Sequence, residues 1–399
     1  MNQRVFYTLN LAVFTGMLGV GLVIPFMPIY AKTLGATTLS IGVFFASFPL
    51  AQMCFMPTIG RLSDRHGRKW FISTGLLLCS LLSLWFVYAP NMLYLIIGRF
   101  VQGGTMALIL PIATAYVGDL APPNKRGTYM GIFNLFLTSS FGMGPLLGGK
   151  VSDLYGIEAG FYLMGALNVV ALLAVLLFLP EAHPAQHARA QAVSYWEMLR
   201  KTKIQGLALY RMVNSIQMGL WFSFLPLLAA EVLALSKSQI GVIIAAHMLV
   251  SAVVQVPAGR LADRLSRRHL AAIGGYLGSF AFVAVYAAEG FWHLLFIGCL
   301  TGAMGAVAMP ALTALAADEG QHSGMGAVMG VLNMAMSAGM MLGPVLAGAL
   351  AEVIGLRSLF VFAAVVGVLG TVGFMRLTME PHGPAVVATE IRERQTESG

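Results

Sequence analysis

A carboxylate set among basic residues occurs twice in this sequence. Gly60-Arg-Leu-Ser-Asp64-Arg65 and Gly259-Arg-Leu-Ala-Asp263-Arg264 stand 199 residues apart, and Arg68 and Arg267 follow at the same spacing. In a tight loop, an aspartate can accept hydrogen bonds from the free amides at a helix amino terminus and oppose its positive dipole end. An arginine beside it can exchange ion-pair partners between two conformations, which is the chemistry of a gate rather than of bond making. The alternative is that these charges only fix the orientation of the chain in a membrane, but the repeated aspartate favours the gate. Arg99 is the only Lys, Arg, Asp or Glu that the sequence places well inside a predicted helix. A charge there costs at least ~3 kcal/mol, so it must be neutralised by partners or face a water-filled cavity. His247 is the one histidine clearly within a helix, on a stripe with Ser251 and Gln255. It can accept a proton near neutral pH, or stay neutral and bond to a neighbouring helix. Tyr210, Asn214, Gln217 and Trp221, at spacings of four, three and four, make one polar and aromatic helix face. Such a face serves either substrate contact or interhelical hydrogen bonding. Gln52 with Phe48 and Phe55, and Asn134 with Thr138, are weaker versions of the pattern.

The elements that position these residues follow from composition. Of 399 residues 58% are hydrophobic and 10% charged, with mean hydropathy +0.80, against about 25% charged in a soluble domain. Lipid must therefore be the solvent, and the +8 net charge concentrates in loops and implies no nucleic-acid partner. Twelve apolar runs long enough to span a bilayer centre on 7–30, 39–59, 70–88, 92–116, 128–149, 159–179, 207–230, 239–258, 270–288, 293–316, 325–350 and 357–378. With the termini on one side, eighteen Lys and Arg lie there against four on the other (Lys32, Lys150, Lys237 and Arg357), which predicts both termini in the cytoplasm. The first run is longer than a signal-peptide core and reads as a retained span. Cys54, Cys79 and Cys299 lie in apolar runs with neither disulfide nor metal spacing.

The 199-residue offset also aligns Ile41-Gly42-Val43 with Ile240-Gly241-Val242, Asp119 with Asp318, and Gly144-Pro145 with Gly343-Pro344. One register across eight spans predicts an all-α polytopic membrane protein of two pseudo-symmetric six-helix halves. The halves are 1–180 and 207–379, with a polar cytoplasmic linker 181–206 and a tail 380–399. Within the linker, 195–199 is expected at the membrane interface. Gly144-Pro145 and Gly343-Pro344 are expected to bend their helices, since Pro removes a backbone donor while glycine lets neighbours touch. Gly16, Gly19 and Gly21 read as close helix packing, and the methionines of spans 10 and 11 as either an adaptable wall or filler. No Ser-His-Asp set, HExxH pair or Gly-x-Ser-x-Gly elbow occurs, and the loops are too short for a catalytic domain, which argues against an embedded enzyme.

Gly60, Leu62, Asp64, Arg65, Gly67, Arg68 and Lys69 resemble the signature loop of the major facilitator superfamily, whose architecture is two parallel six-helix halves. Pro25-Phe-Met-Pro28-Ile-Tyr30, Arg99-Phe-Val-Gln102-Gly103, the run from Asp119 to Gly127, and Gly144-Pro145-Leu-Leu-Gly148-Gly149 resemble its twelve-helix drug:proton antiporter branch. The resemblance implies that Asp64 latches onto the start of span 11 near Gly324 to Gly326, and that Arg68 pairs with Asp119. Asp263, Arg264, Arg267 and Asp318 would form the symmetric set. It further implies that Arg99 supports proton coupling, that Pro25 and Pro28 bend span 1, and that the substrate is a small amphiphile. The proton gradient would supply energy with no cofactor, in a monomer in a bacterial inner membrane. All sixteen Asp and Glu, however, lie at helix ends, in loops or in tails, which departs from the acid usual in that branch and suits a neutral, zwitterionic or anionic load. Uptake, or transport without protons, of a neutral or anionic metabolite is the alternative. A receptor or scaffold that moves no solute is a more distant one.

Overall fold

In the computed structural model, the described residues are 3–122, 125–181 and 198–379, without the side chains at 61, 64, 65, 126, 322, 323 and 326. The side chains of Asp64 and Arg65, the linker from 182 to 197 with Tyr195 and Trp196, and the tail 380–399 lie outside that set.

The described chain is helical, with no strand among the described residues. Span 1 is α1 (Gln3–Val23), a 3-10 turn at Ile24–Phe26 and α2 (Met27–Thr33), with Pro25 and Pro28 each opening the piece that follows. Spans 2 to 6 are α3 (Thr38–His66), α4 (Lys69–Val87), α5 (Met92–Leu120), α6 (Arg126–Tyr155) and α7 (Ile157–Phe178). Spans 7 to 10 are α8 (Thr202–Glu231), α9 (Lys237–Arg264), α10 (Arg267–Ala284) and α11 (Phe291–Ser323). The last helix, α12 (Met325–Leu377), holds two spans, because Gly355 inside it has φ 78° and ψ 163°. Gly156, at the 199-residue offset, has φ 86° between α6 and α7. One left-handed glycine thus makes the same turn in both halves, where a side chain would be strained. Pro145 and Pro344 lie inside helices that run on through them.

Local chemistry sets the helix starts. The Thr37 hydroxyl accepts from Ser40 N at 3.1 Å, Asn91 Oδ1 from Leu93 N and Tyr94 N, and Ser236 closes a capping box with Gln239. Span 7 starts at Thr202, so the end of the predicted linker is helix. Asp64 and Asp263 occupy the last turns of α3 and α9 instead of loops, because the connections to α4 and α10 are only two residues long.

One apolar core fills the first half and continues into the second through Leu220, Phe224, Ile240, Ile244 and Phe360. These residues lie toward the face away from the termini, here called the distal face. On the opposite, linker face, the second half packs around a separate core that includes Leu207, Leu270, Leu312 and Phe374. The halves are therefore fused at the distal face and separately packed at the linker face.

Candidate functional site

A cavity of 320 Å³ lies within the second half, enclosed by α8, α9, α10, α11 and α12. All four residues of the polar α8 face line it, together with His247, Ser251 and Gln255 of α9. Two of the four are committed to packing. Tyr210 donates to the carbonyl of Ala271 at 3.0 Å, while Gln217 donates to Ser279 Oγ at 3.2 Å and the carbonyl of Ala363 at 3.1 Å. Asn214 is half-buried. Trp221 is 2% exposed, and its indole N–H has no acceptor.

His247 stacks on Trp221 with ring centroids 5.1 Å apart. Its Nδ1 lies 3.0 Å from the carbonyl oxygen of Gly298 and 3.2 Å from Thr301 Oγ1. A carbonyl only accepts, so the neutral ring carries its hydrogen on Nδ1 and keeps the Nε2 lone pair available for a proton.

The cavity also contains a charge that the span assignment leaves unplaced. Arg211 sits in the third turn of α8, half-buried, and donates to Met309 Sδ at 3.0 Å and Met336 Sδ at 2.9 Å. Arg99 is therefore not alone inside a helix. The signal was available, because Arg211 lies three residues before Asn214 and so on the same side of the helix, but the predicted start at 207 put it near a helix end.

Arg99 does not line the cavity. It is 4% exposed, with Nη1 2.6 Å from Gln102 Oε1 and its guanidinium carbon 5.5, 5.6 and 4.6 Å from the ring centres of Phe44, Phe45 and Phe48. Its compensation is an aromatic cage and one amide, so of the two expected surroundings, partners or a water-filled cavity, it has partners, mostly through cation–π contact. Gln52 is half-buried on α3 and does not line the cavity.

A second, larger cleft of 900 Å³ lies between α6 and α9, hence between the halves. Asn134, Thr138 and Ser139 provide its polar edge, and Met248 and Gln255 belong to both it and the cavity. Its flanks carry Leu135, Leu249 and Val253, each 65% exposed, as suits a bilayer-facing opening.

The distal face is sealed by backbone contact. A β-carbon at Gly42 would collide with the Pro344 carbonyl, and one at Gly241 with that of Pro145, so the repeat builds the same close approach twice. Gly149 meets the backbone of Lys237 and Ser238 as Gly348 meets Thr38 and Leu39, whereas Gly144 and Gly148 pack on Gly21 and Leu22 of span 1, and Gly343 on Ile216. Asp153 accepts from the amides of Lys237 at 3.0 Å and Ser238 at 2.8 Å; Glu352, its repeat mate, accepts from Thr38 Oγ1 at 3.2 Å.

At the linker face, Arg68 Nε lies 2.8 Å from Asp119 Oδ2, and Arg267 pairs with Asp318. Lys69 donates to the carbonyl of Leu176 as Arg268 does to that of Met375, again 199 residues apart. Glu181 was missed by the sequence reading, which put it at the start of a polar linker. Its carboxylate accepts from Lys69 N at 3.1 Å and fills the space beside Gly67, whose φ is 89°. The Pro180 carbonyl beside it accepts from the Tyr116 hydroxyl at 2.6 Å. Asp263 is exposed, and Gly60 faces open space.

Two six-helix halves sealed at one face, with a polar cavity and a lateral cleft, make a multi-pass membrane protein with the architecture of a transporter. The sequence profile described as Major Facilitator Superfamily matches residues 9–211 and again 207–397, and the chain belongs to that superfamily. It is 30% identical over 378 residues to an uncharacterized MFS-type transporter of Methanocaldococcus jannaschii, covering 93% of this chain and 97% of the relative. It is 26% identical over 360 residues to the quinolone resistance protein NorA of Staphylococcus aureus, covering 88% and 91%. Its fold matches a bacterial homolog of the human lysosomal transporter Spinster, solved inward-facing and unoccupied, with TM-score 0.80 at 16% identity over 95% of this chain and 98% of the other.

Proposed function

We propose that this transporter works by alternating access and exports a small amphiphilic drug or metabolite in exchange for protons, as a monomer in a bacterial inner membrane. The excess of basic residues on the linker face orients that face, with both termini, toward the cytoplasm. The distal contacts then close the outside, the arrangement that alternating access requires of a chain open to the cytoplasm. The observation that carries the reading is the adjacency of the two spaces: a polar, aromatic cavity and an apolar cleft between the halves border the same two side chains, Met248 and Gln255. Neighbouring polar and apolar spaces suit a molecule with one polar and one apolar end. Relatives whose names refer to quinolone and multidrug resistance support the direction of transport. His247 is the proton site of this reading, since its Nε2 can be protonated without breaking the Nδ1 bond to Gly298.

Everted vesicles holding the wild-type protein will accumulate amphiphilic compounds when energised by a proton gradient, and a protonophore will abolish this. His247→Gln will retain downhill counterflow but lose at least tenfold of gradient-driven accumulation. Accumulation indifferent to the gradient, or in the opposite direction, would replace export by uptake or facilitation of a metabolite.

A further inference from the structure

We infer that the cavity of the second half binds the anionic group of an aromatic carboxylate, with Arg211 as the residue that recognises the charge. The inference rests on the transport reading above and names the class of its substrate. A guanidinium inside a membrane protein requires compensation, and it usually comes from a carboxylate. Among the described residues, the hydrogen bonds of Arg211 go instead to two thioether sulfurs, which are weak acceptors. Among the described residues no Asp or Glu lines the cavity, so the described lining carries one positive charge and no negative one. Asn214, one turn along α8, lines the same wall and can add an amide donor.

A second observation points to an aromatic ligand. Trp221 and His247, stacked on each other, both line the same cavity and give it an aromatic wall. Ten residues separate Arg211 from Trp221, about 15 Å along a helix. A carboxylate held at Arg211 would thus extend an aromatic body toward Trp221. A cation in this space would meet Arg211 with no carboxylate to offset it. At 320 Å³ the space falls at the small end of ligand cavities, which run from about 300 Å³.

Purified full-length protein in nanodiscs will be assayed for equilibrium binding of tritiated 1-naphthylacetate and its uncharged amide, 1-naphthylacetamide. Wild type will bind the acid at least tenfold more tightly than the amide. Arg211→Gln will erase that preference while leaving amide binding within twofold, and Arg211→Lys will retain most of it. Equal binding of acid and amide by wild type overturns the inference, as does a preference that survives Arg211→Gln or the absence of binding by either compound at millimolar concentration. Amide binding in each variant reports whether the cavity is intact. Binding needs no proton gradient, so a failure here is separable from a failure of gradient-driven export.

Discussion

Gly241→Val will hold the distal face open and lower transport at least tenfold. A β-carbon at Gly241 collides with the Pro145 carbonyl, and that backbone is fixed within α6, so the clash cannot be relieved by turning a side chain. Overpacking of this kind costs about 1–3 kcal/mol. The penalty falls only on the state in which α6 and α9 touch, so the population shifts toward distal opening by up to about a hundredfold, at 1.4 kcal/mol per factor of ten. Gly42→Val should do the same through Pro344, and the double variant should nearly abolish flux. Gly290→Ala is the control, because nothing lies within 4 Å of its β-carbon position. Spin labels at Leu154 and Val353, exposed on opposite halves near the distal face, read the opening as a longer distance. An unchanged distance with normal flux would show that the close approach is incidental.

The two repeat-related ion pairs will differ sharply in effect. Arg68 and Asp119 are 6% and 23% exposed at their side chains, against 33% and 55% for Arg267 and Asp318. Leaving one member of a buried pair alone costs about 3–5 kcal/mol, and the partial exposure of Asp119 reduces this to about 2. Arg68→Ala should therefore slow transport about thirtyfold. Loss of the exposed pair is worth about 0–1 kcal/mol, so Arg267→Ala should slow it no more than about fivefold. Arg68 is a positioning residue, bracing the short α3 to α4 connection that also carries Gly67 and the Glu181 contact. Swapping the charges, as Arg68→Asp with Asp119→Arg, should recover part of the rate. Equal losses from the two alanine variants, or no loss from either, would remove the brace from the mechanism. Initial rates at matched membrane expression decide between these outcomes.

Much of this organisation was legible in the chain. Long apolar runs have one low-energy solution in lipid, a helix that satisfies its own backbone, so the spans emerge from composition. A single repeat offset then relates the halves. It correctly pairs Gly156 with Gly355 as turns, although neither was singled out, and it predicts the doubled close approach of Gly42 and Gly241 once one copy is known. The polar face of α8 could likewise be read from spacing, because residues three and four apart share a side.

What the sequence by itself determined is local and periodic: which segments are helical, which residues share a face, and which positions correspond between halves. The tertiary structure alone decided which faces meet. Arg99 and Arg211 carry the same charge, and the structure places both inside helices, yet one lies in a cage of three phenylalanines and the other lines a cavity. Glu181, apparently the first residue of a linker, folds back across 112 positions to cap α4. The physical reason is that desolvation and hydrogen bonding depend on distance in space. Helix formation is settled within a few turns of chain, whereas the environment of a charge is settled by whichever distant helix packs against it.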